Sequence, residues 1–323
     1  MEILAPVRLE PIVVTKVWGA TGGMLGPLAT HLQVTPGAGE VWLASAQQSV
    51  NKVAEGPLAG MGLDELNRKF GRSLVGDEHD DEFPLTLKLL NVGDWLSVQV
   101  HSDDQPNDRV GEVWHVLHTD NQNTEIVMGL KIGAGRQEVE EAVERGDLTD
   151  LLAKIPARRS DTFFLPSGTV HSVGPGLVIF ELQQPSSMAY RFHDWNRPDI
   201  NGAMRQLHHE KALQAITLSG HAPSEPVRQL EIYGAPNRLR LLVETPTFSL
   251  LRVDATQTYR PWWSGAKLRV IFVLEGTGEM RSPGGYFSPM HINAGQTWLL
   301  PAKLTTPLLV PEQGKMSFLE AVA

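Results

Sequence analysis

Two short segments hold the residues whose types and spacing could do chemistry. The first is Trp95-Leu-Ser-Val-Gln-Val-His101, which alternates polar and apolar residues. Alternate side chains of a strand share a face, so Ser97, Gln99 and His101 point one way and Leu96, Val98 and Val100 the other. Such a face suits a barrel with a site in its lumen, and it equally suits a sheet with one side in water. The second segment, Asp161 to His171, ends in the pattern P-x-G-x-x-H. Here Pro166 and Gly168 build a tight turn and His171 enters the next strand just after it. Glu112 opens a further strand at 112–118. Two histidines and one carboxylate with an open position make a donor set for a first-row metal such as Zn²⁺ or Fe²⁺, and Gln99 could add a fourth ligand oxygen. A lone histidine is usually a surface or hydrogen-bonded residue, so the weight rests on the combination.

These residues need strands to position them, and most of the chain reads as strands. Residues 83–90, 95–101, 112–118, 124–130, 161–166 and 176–183 are short β-type runs separated by turn residues. After a Pro-containing linker at 221–227, further runs follow at 239–244, 248–255, 268–282 and 297–302. Strands at this spacing without long helices between them predict an antiparallel sandwich or barrel. Helical periodicity is confined to 63–75, 136–155 (with Gly146 breaking the run) and 203–216. Phe163–Leu165 before Pro166 resembles Trp298–Leu300 before Pro301, a faint sign that the two β-rich halves are a diverged duplication.

Composition narrows the function classes. The chain has 323 residues, enough for about two domains. Its 41% hydrophobic and 20% charged content is that of a globular protein. It has no cysteine, which excludes disulfides, thiolate metal sites and cysteine nucleophiles, and any transition metal must be held by His, Asp, Glu or Gln. A net charge of −9 argues against a general nucleic-acid binder. No run approaches the roughly 20 apolar residues of a membrane span, and the first residues lack the basic leader of a secretory signal. The expectation is a cytoplasmic protein, monomer or homodimer.

The residues in order resemble the type I phosphomannose isomerase family of the cupin superfamily. QVH at 99–101, Glu-x-Trp at 112–114 and LPSGTVHSVGPG at 165–176 carry the resemblance. VWG at 17–19, GEVW at 39–42, EGPLAG at 55–60, FPLTLKLL at 83–90, ELQQPSSMAYRFHDWNR at 181–197 and LHHEKAL at 207–213 support it. The resemblance implies a mainly β fold: a cupin (jelly-roll β-barrel) catalytic domain with helical insertions over 1–225, and a smaller cupin-like β-domain over 226–323. That second domain has one histidine, His291, and is expected to hold no metal. The implied activity is a Zn²⁺-dependent interconversion of mannose 6-phosphate and fructose 6-phosphate, so the partner is a small sugar phosphate. The family's metal ligands fall on Gln99, His101, Glu112 and His171, and its catalytic arginine on Arg191.

Aldose–ketose isomerisation moves a proton between adjacent carbons and builds negative charge on the sugar oxygens. A metal and a guanidinium are suited to stabilise that charge. Lys88, set in an apolar run, either snorkels outward or enters a polar lumen, and the resemblance favours the lumen. Lys88 and Arg197 are the expected contacts to phosphate or sugar oxygens, with Ser97 on the same polar face as Gln99. Asp194, His193 and Glu181 are candidates for the proton-transferring base, Asp194 first. Arg191 and His193 share a face if 189–195 is extended. The sequence departs from the family in three places. Arg109-Val-Gly-Glu112 stands where the family has GKTE, so Val110 replaces a lysine, for which Arg109 could substitute. Ser102 stands where the family has proline, and SSMAYR replaces SDxTYR. Two other readings remain: a non-catalytic sugar-binding or regulatory cupin, suggested by the missing lysine, and a non-haem iron oxygenase, which uses a similar triad.

Overall fold

The computed structural model describes residues 5–47, 50–79, 82–102, 111–121, 123–185, 189–218, 225–232, 236–261 and 266–323. Within them the strands pair antiparallel in four sheets that form two jelly rolls. In the first, a five-stranded sheet runs Ala189–His193, Val98–His101, His171–Val173, Glu125–Leu130, Leu152–Pro156. It faces a six-stranded sheet of Ile12–Thr15, Ala38–Ala44, Thr86–Val92, Leu177–Gln183, Gly111–Thr119, Thr162–Pro166. Trp114, Val116, Ile126, Phe163 and Ile179 pack in its interior. The second combines a seven-stranded sheet, centred on Arg269–Glu275, Met316–Val322 and Ser249–Ala255, with the three strands Met290–Asn293, Thr277–Arg281 and Leu308–Pro311.

The long apolar runs follow from burial of both sheet faces. Along Thr86–Val92, Leu87 and Leu89 face away from the first lumen and join Val113 and Phe180 in the largest core cluster. Leu250, Val270, Phe272 and Leu319 of the seven-stranded sheet complete that cluster. The Phe180 and Phe272 rings stack across it, 6.1 Å apart. Apolar area removed from water on both partners, at about 25 cal/mol per Å², holds the jelly rolls face to face. Val7–Leu9 adds to the edge of the second jelly roll, opposite Thr297–Leu299. The boundary that we propose near residue 225 therefore has one strand crossing it, and most of the 221–227 linker lies outside the described residues.

The helical expectations hold in part. The 63–75 segment is helical but divides at Gly71 (φ 46°) into Leu63–Phe70, which buries Leu63, Leu66 and Phe70, and Arg72–Val75. Residues 136–155 do not form the expected pair of helices. Arg136–Arg145 ends on Gly146, which is left-handed at φ 78°. A single turn follows, and Leu152–Pro156 becomes a strand against Glu125–Leu130. Leu148, Leu151, Leu152 and Ile155 satisfy helical spacing, yet the free sheet edge competes for the same residues and wins. The 203–216 helix shortens to His209–Ala215, because Met204 and Leu207 stay exposed and give a helix no apolar face to bury.

Candidate metal centre and cavity

Strand register builds the site. Directly opposed residues of an antiparallel sheet share a face, and the five-stranded sheet aligns Arg191, Gln99 and His171 in one row across three strands. His101 follows Gln99 two positions on and shares its face. From the facing sheet comes a second row, Trp42, Lys88, Glu181 and Trp114, with Glu112 two positions before Trp114. Val98 and Val100 point the other way and are fully buried. The turn that delivers His171 is tied to the strand that ends at His101: the amide of Gly168 (φ 80°) donates to the carbonyl of His101 at 2.9 Å.

The two rows enclose a cavity of about 290 Å³, near the lower end of the roughly 300–1,000 Å³ of small-molecule sites. At its base the ligand-type atoms of His101, Glu112 and His171 lie within 4.8 Å of one another. His101 Nε2 is 3.1 Å and His171 Nε2 3.9 Å from the same Glu112 oxygen, the spacing of groups that share a centre about 2 Å from each. The His171 Nδ1–H donates to the Thr169 carbonyl at 2.8 Å. That bond fixes the tautomer and leaves the Nε2 lone pair toward the cluster, the usual arrangement behind a metal-bound imidazole. Burial, then the nearby His101, lower the His171 pKa against the pull of Glu112, so the ring is neutral, as a ligand must be. These residues fit a divalent metal.

The rest of the wall is charged in pairs. Lys88 Nζ sits 2.9 Å from Glu181 Oε1 and 4.4 Å from the centre of the Trp42 ring, so it enters the lumen. Burial disfavours its charge, but Glu181, Glu40 and Glu112 outweigh that and raise its pKa. Burial and the Glu112 charge push the Glu181 carboxyl up, against Lys88. Burial works the same way on Glu112, but a hydrogen bond to His101, the His171 ring and a hydrogen bond with Glu181 hold it well below the carboxylate range. Trp114 Nε1–H donates to both carboxyls. Lys16, paired with Glu40 at 3.1 Å, lies on the same wall.

On the strand Ala189–His193, Arg191 donates from Nε to Ser97 Oγ at 3.3 Å and from Nη1 to the Gln206 carbonyl at 2.8 Å. Its pKa is lowered first by burial and then by Arg205, so two guanidinia share this part of the wall. Arg205 is held by Asp194, whose carboxylate takes both its Nε–H, at 2.6 Å, and its Nη2–H.

The structure therefore brings Lys88, Ser97, Gln99, His101, Glu112, His171 and Arg191 to one cavity, and leaves Asp194 and Arg197 off its lining. Asp194 is buried behind Arg205 and Arg197, and Arg197 spans Asp194 at 3.2 Å and Asp94 at 2.8 Å. We propose that Asp194 acts through the arginine it holds instead of as the base, and that Arg197 braces Asp194 instead of touching the sugar. His193 departs from Arg191's face because a bulge interrupts the pairing between them. Arg109 and Val110 lie outside the described residues, as do Ser186–Met188 of SSMAYR. The sequence reading missed Arg205, Lys16, Glu40 and Trp42. Glu40 and Trp42 alternate on one strand and were open to the reasoning applied to 97–101, whereas Arg205 lies in a segment without periodicity.

Paired antiparallel jelly rolls with a His–Glu–His cluster in the lumen of one define a cupin with a candidate metal centre. Residues 7–132 match the family model for the catalytic domain of phosphomannose isomerase type I. A Streptococcus mutans mannose-6-phosphate isomerase is 32% identical over 282 residues, 85% of this chain and 86% of that protein. The crystal structure of the Bacillus subtilis mannose 6-phosphate isomerase superposes with a TM-score of 0.84 at 27% identity, covering 98% of this chain and 99% of that one. A zinc-bound mannose 6-phosphate isomerase structure shares the fold at a TM-score of 0.69 and 11% identity, over 97% and 98% of the two chains. The chain belongs to the type I phosphomannose isomerase family.

Proposed function

We propose that this chain interconverts mannose 6-phosphate and fructose 6-phosphate with one Zn²⁺, held by Gln99, His101, Glu112 and His171. The observation that carries the reading is the His–Glu–His cluster opening onto a cavity that is also lined by Lys16, Lys88, Arg191 and Arg205. A phosphosugar brings a dianion and develops further charge as its proton moves, and a protein of charge −9 must supply cations locally. The all-N/O donor set suits zinc, which when bound would act as a Lewis acid toward the sugar oxygens. Arg191, oriented by Ser97 and Gln206, faces the oxygens where charge develops. Arg205, oriented by Asp194, supports the phosphate. Glu181 handles the proton in this reading: its carboxyl faces the cavity, and Lys88 at 2.9 Å balances its charge. Relatives named for this reaction support the substrate. The absence of cysteine agrees with a cytoplasmic setting.

The test is metal analysis of the purified protein followed by an isomerase assay on both hexose phosphates. Turnover that is lost on chelation and restored by Zn²⁺ supports the reading. Sugar-phosphate binding without turnover, unchanged in Arg191→Ala, would make the chain a binding cupin, and oxygen consumption with Fe²⁺ would make it an oxygenase.

A further inference from the structure

A second cavity, of about 570 Å³, opens between the two jelly rolls, apart from the metal cavity. Met24, Leu28, Leu117, Val178 and Leu274 give it an apolar side, and Arg252 and Arg159 give it a cationic one. The acids nearby are already engaged. Asp254 accepts from Ser317 Oγ at 2.7 Å and from Arg240 at 3.3 Å. Glu275, which itself lines the cleft, has its charge balanced by Lys315 at 3.3 Å. Arg252 reaches Asp254 only at 3.8 Å, too far for a hydrogen bond, and its Nε–H is buried without a hydrogen-bond partner among the described residues. A guanidinium offers five donors in a fixed fork and loses stability when they are desolvated and unpaired. The imbalance reaches the neighbourhood: burial, and after it Arg252 and Arg240, push the His115 ring down to about 3.

We propose that this cleft is a second, non-catalytic binding site for a small phosphate-bearing anion, seated on Arg252 and Arg159. A phosphate group has several acceptor oxygens and up to two charges at neutral pH, so it can engage two guanidinia at once, one of them bidentately. His118 and His31 on the same wall offer further ring N–H donors. The apolar side accommodates the carbon body of a phosphomonoester. Nothing in this inference depends on the isomerase reading, because no residue of the cleft lines the metal cavity.

The experiment is calorimetric titration of the full-length protein with inorganic phosphate at constant ionic strength. Two saturable classes of site are expected in the parent chain. Arg252→Gln removes one class and Arg205→Gln the other, and Arg159→Gln, at an exposed position, weakens the Arg252 class by about tenfold, the equivalent of about 1.4 kcal/mol. If Arg252→Gln fails to fold, Arg159→Gln decides. A parent in which no class of site is weakened by either cleft substitution overturns the proposal. A parent that lacks only the Arg205-dependent class counts against the function proposed for the first cavity and leaves this one standing.

Discussion

Asp194→Asn separates two roles that the sequence alone left together. As a base, Asp194 would touch the substrate, and losing a general base lowers kcat by about 10²–10⁴ with little change in binding. As the carboxylate that holds Arg205 and Arg197, it acts through them. Asn keeps the shape and one acceptor oxygen but turns an NH₂ toward a guanidinium, so at least one of its contacts to Arg205 and Arg197 becomes donor against donor. Breaking one partner of a fully buried ion pair costs about 3–5 kcal/mol. These side chains keep 12–14% exposure on the arginine side, and Asn preserves part of the geometry, so a loss of about 2–3 kcal/mol in unfolding free energy is expected. In the active site the released Arg205 forfeits a charge-assisted hydrogen bond worth about 1.5–3 kcal/mol, which is roughly 10- to 150-fold in KM for the sugar phosphate. The prediction is a large rise in KM, a fall in kcat of less than about tenfold, and an unchanged pH dependence of kcat. The assay is steady-state isomerase kinetics across pH, with urea unfolding in parallel. A fall in kcat of more than about 100-fold at unaltered KM, with the basic side of the pH profile lost, would refute the reasoning and return Asp194 to the chemistry.

Three further perturbations test other parts of the molecule. His101→Ala removes one of the clustered ligand groups, so metal affinity is expected to fall by more than the roughly 10–100-fold of an outer-shell loss, read by competition with a chromophoric chelator; circular dichroism should be unchanged. Acidification should uncover His115, whose pKa falls from 6.5 to about 3 on folding because of burial and then of Arg252 and Arg240. A depressed folded pKa means that the neutral ring's full contribution is present above pH 6.5 and declines as pH drops toward 3. At about 1.36 kcal/mol per unit, the parent should lose about 2.5 kcal/mol more than His115→Gln between pH 7 and 4.5, and parallel losses in urea titrations would remove His115 from the explanation. Gly19→Ala places a Cβ 2.1 Å from the Gly37 carbonyl oxygen, with backbone on both sides of the contact. Nothing there can rotate away, so a loss above about 3 kcal/mol is expected, seen as a markedly lower thermal midpoint.

What the sequence disclosed follows the range of the interaction involved. The alternation at 97–101 and the turn before His171 are local, and they put Ser97, Gln99, His101 and His171 in the lumen without knowledge of any partner strand. Lys88 was ambiguous by itself: a lysine among leucines can leave the sheet or enter it, and Glu181, 93 residues away, settles the matter. The same logic explains the 136–155 error, because Leu152 and Ile155 satisfy a helical period and their strand identity exists only once Glu125–Leu130 is beside them. Arg205 marks the limit. It lies in an extended stretch with no periodicity, and its position comes from Asp194, which comes in turn from the end of the strand that carries Arg191. A carboxylate near Arg191 looks the same in one dimension whether it faces a substrate or a second arginine. Charge type is visible in a sequence, whereas which charge is already neutralised is a property of the folded arrangement. Residue type therefore says least at carboxylates flanked by more than one arginine, and in this chain Asp194 is that residue.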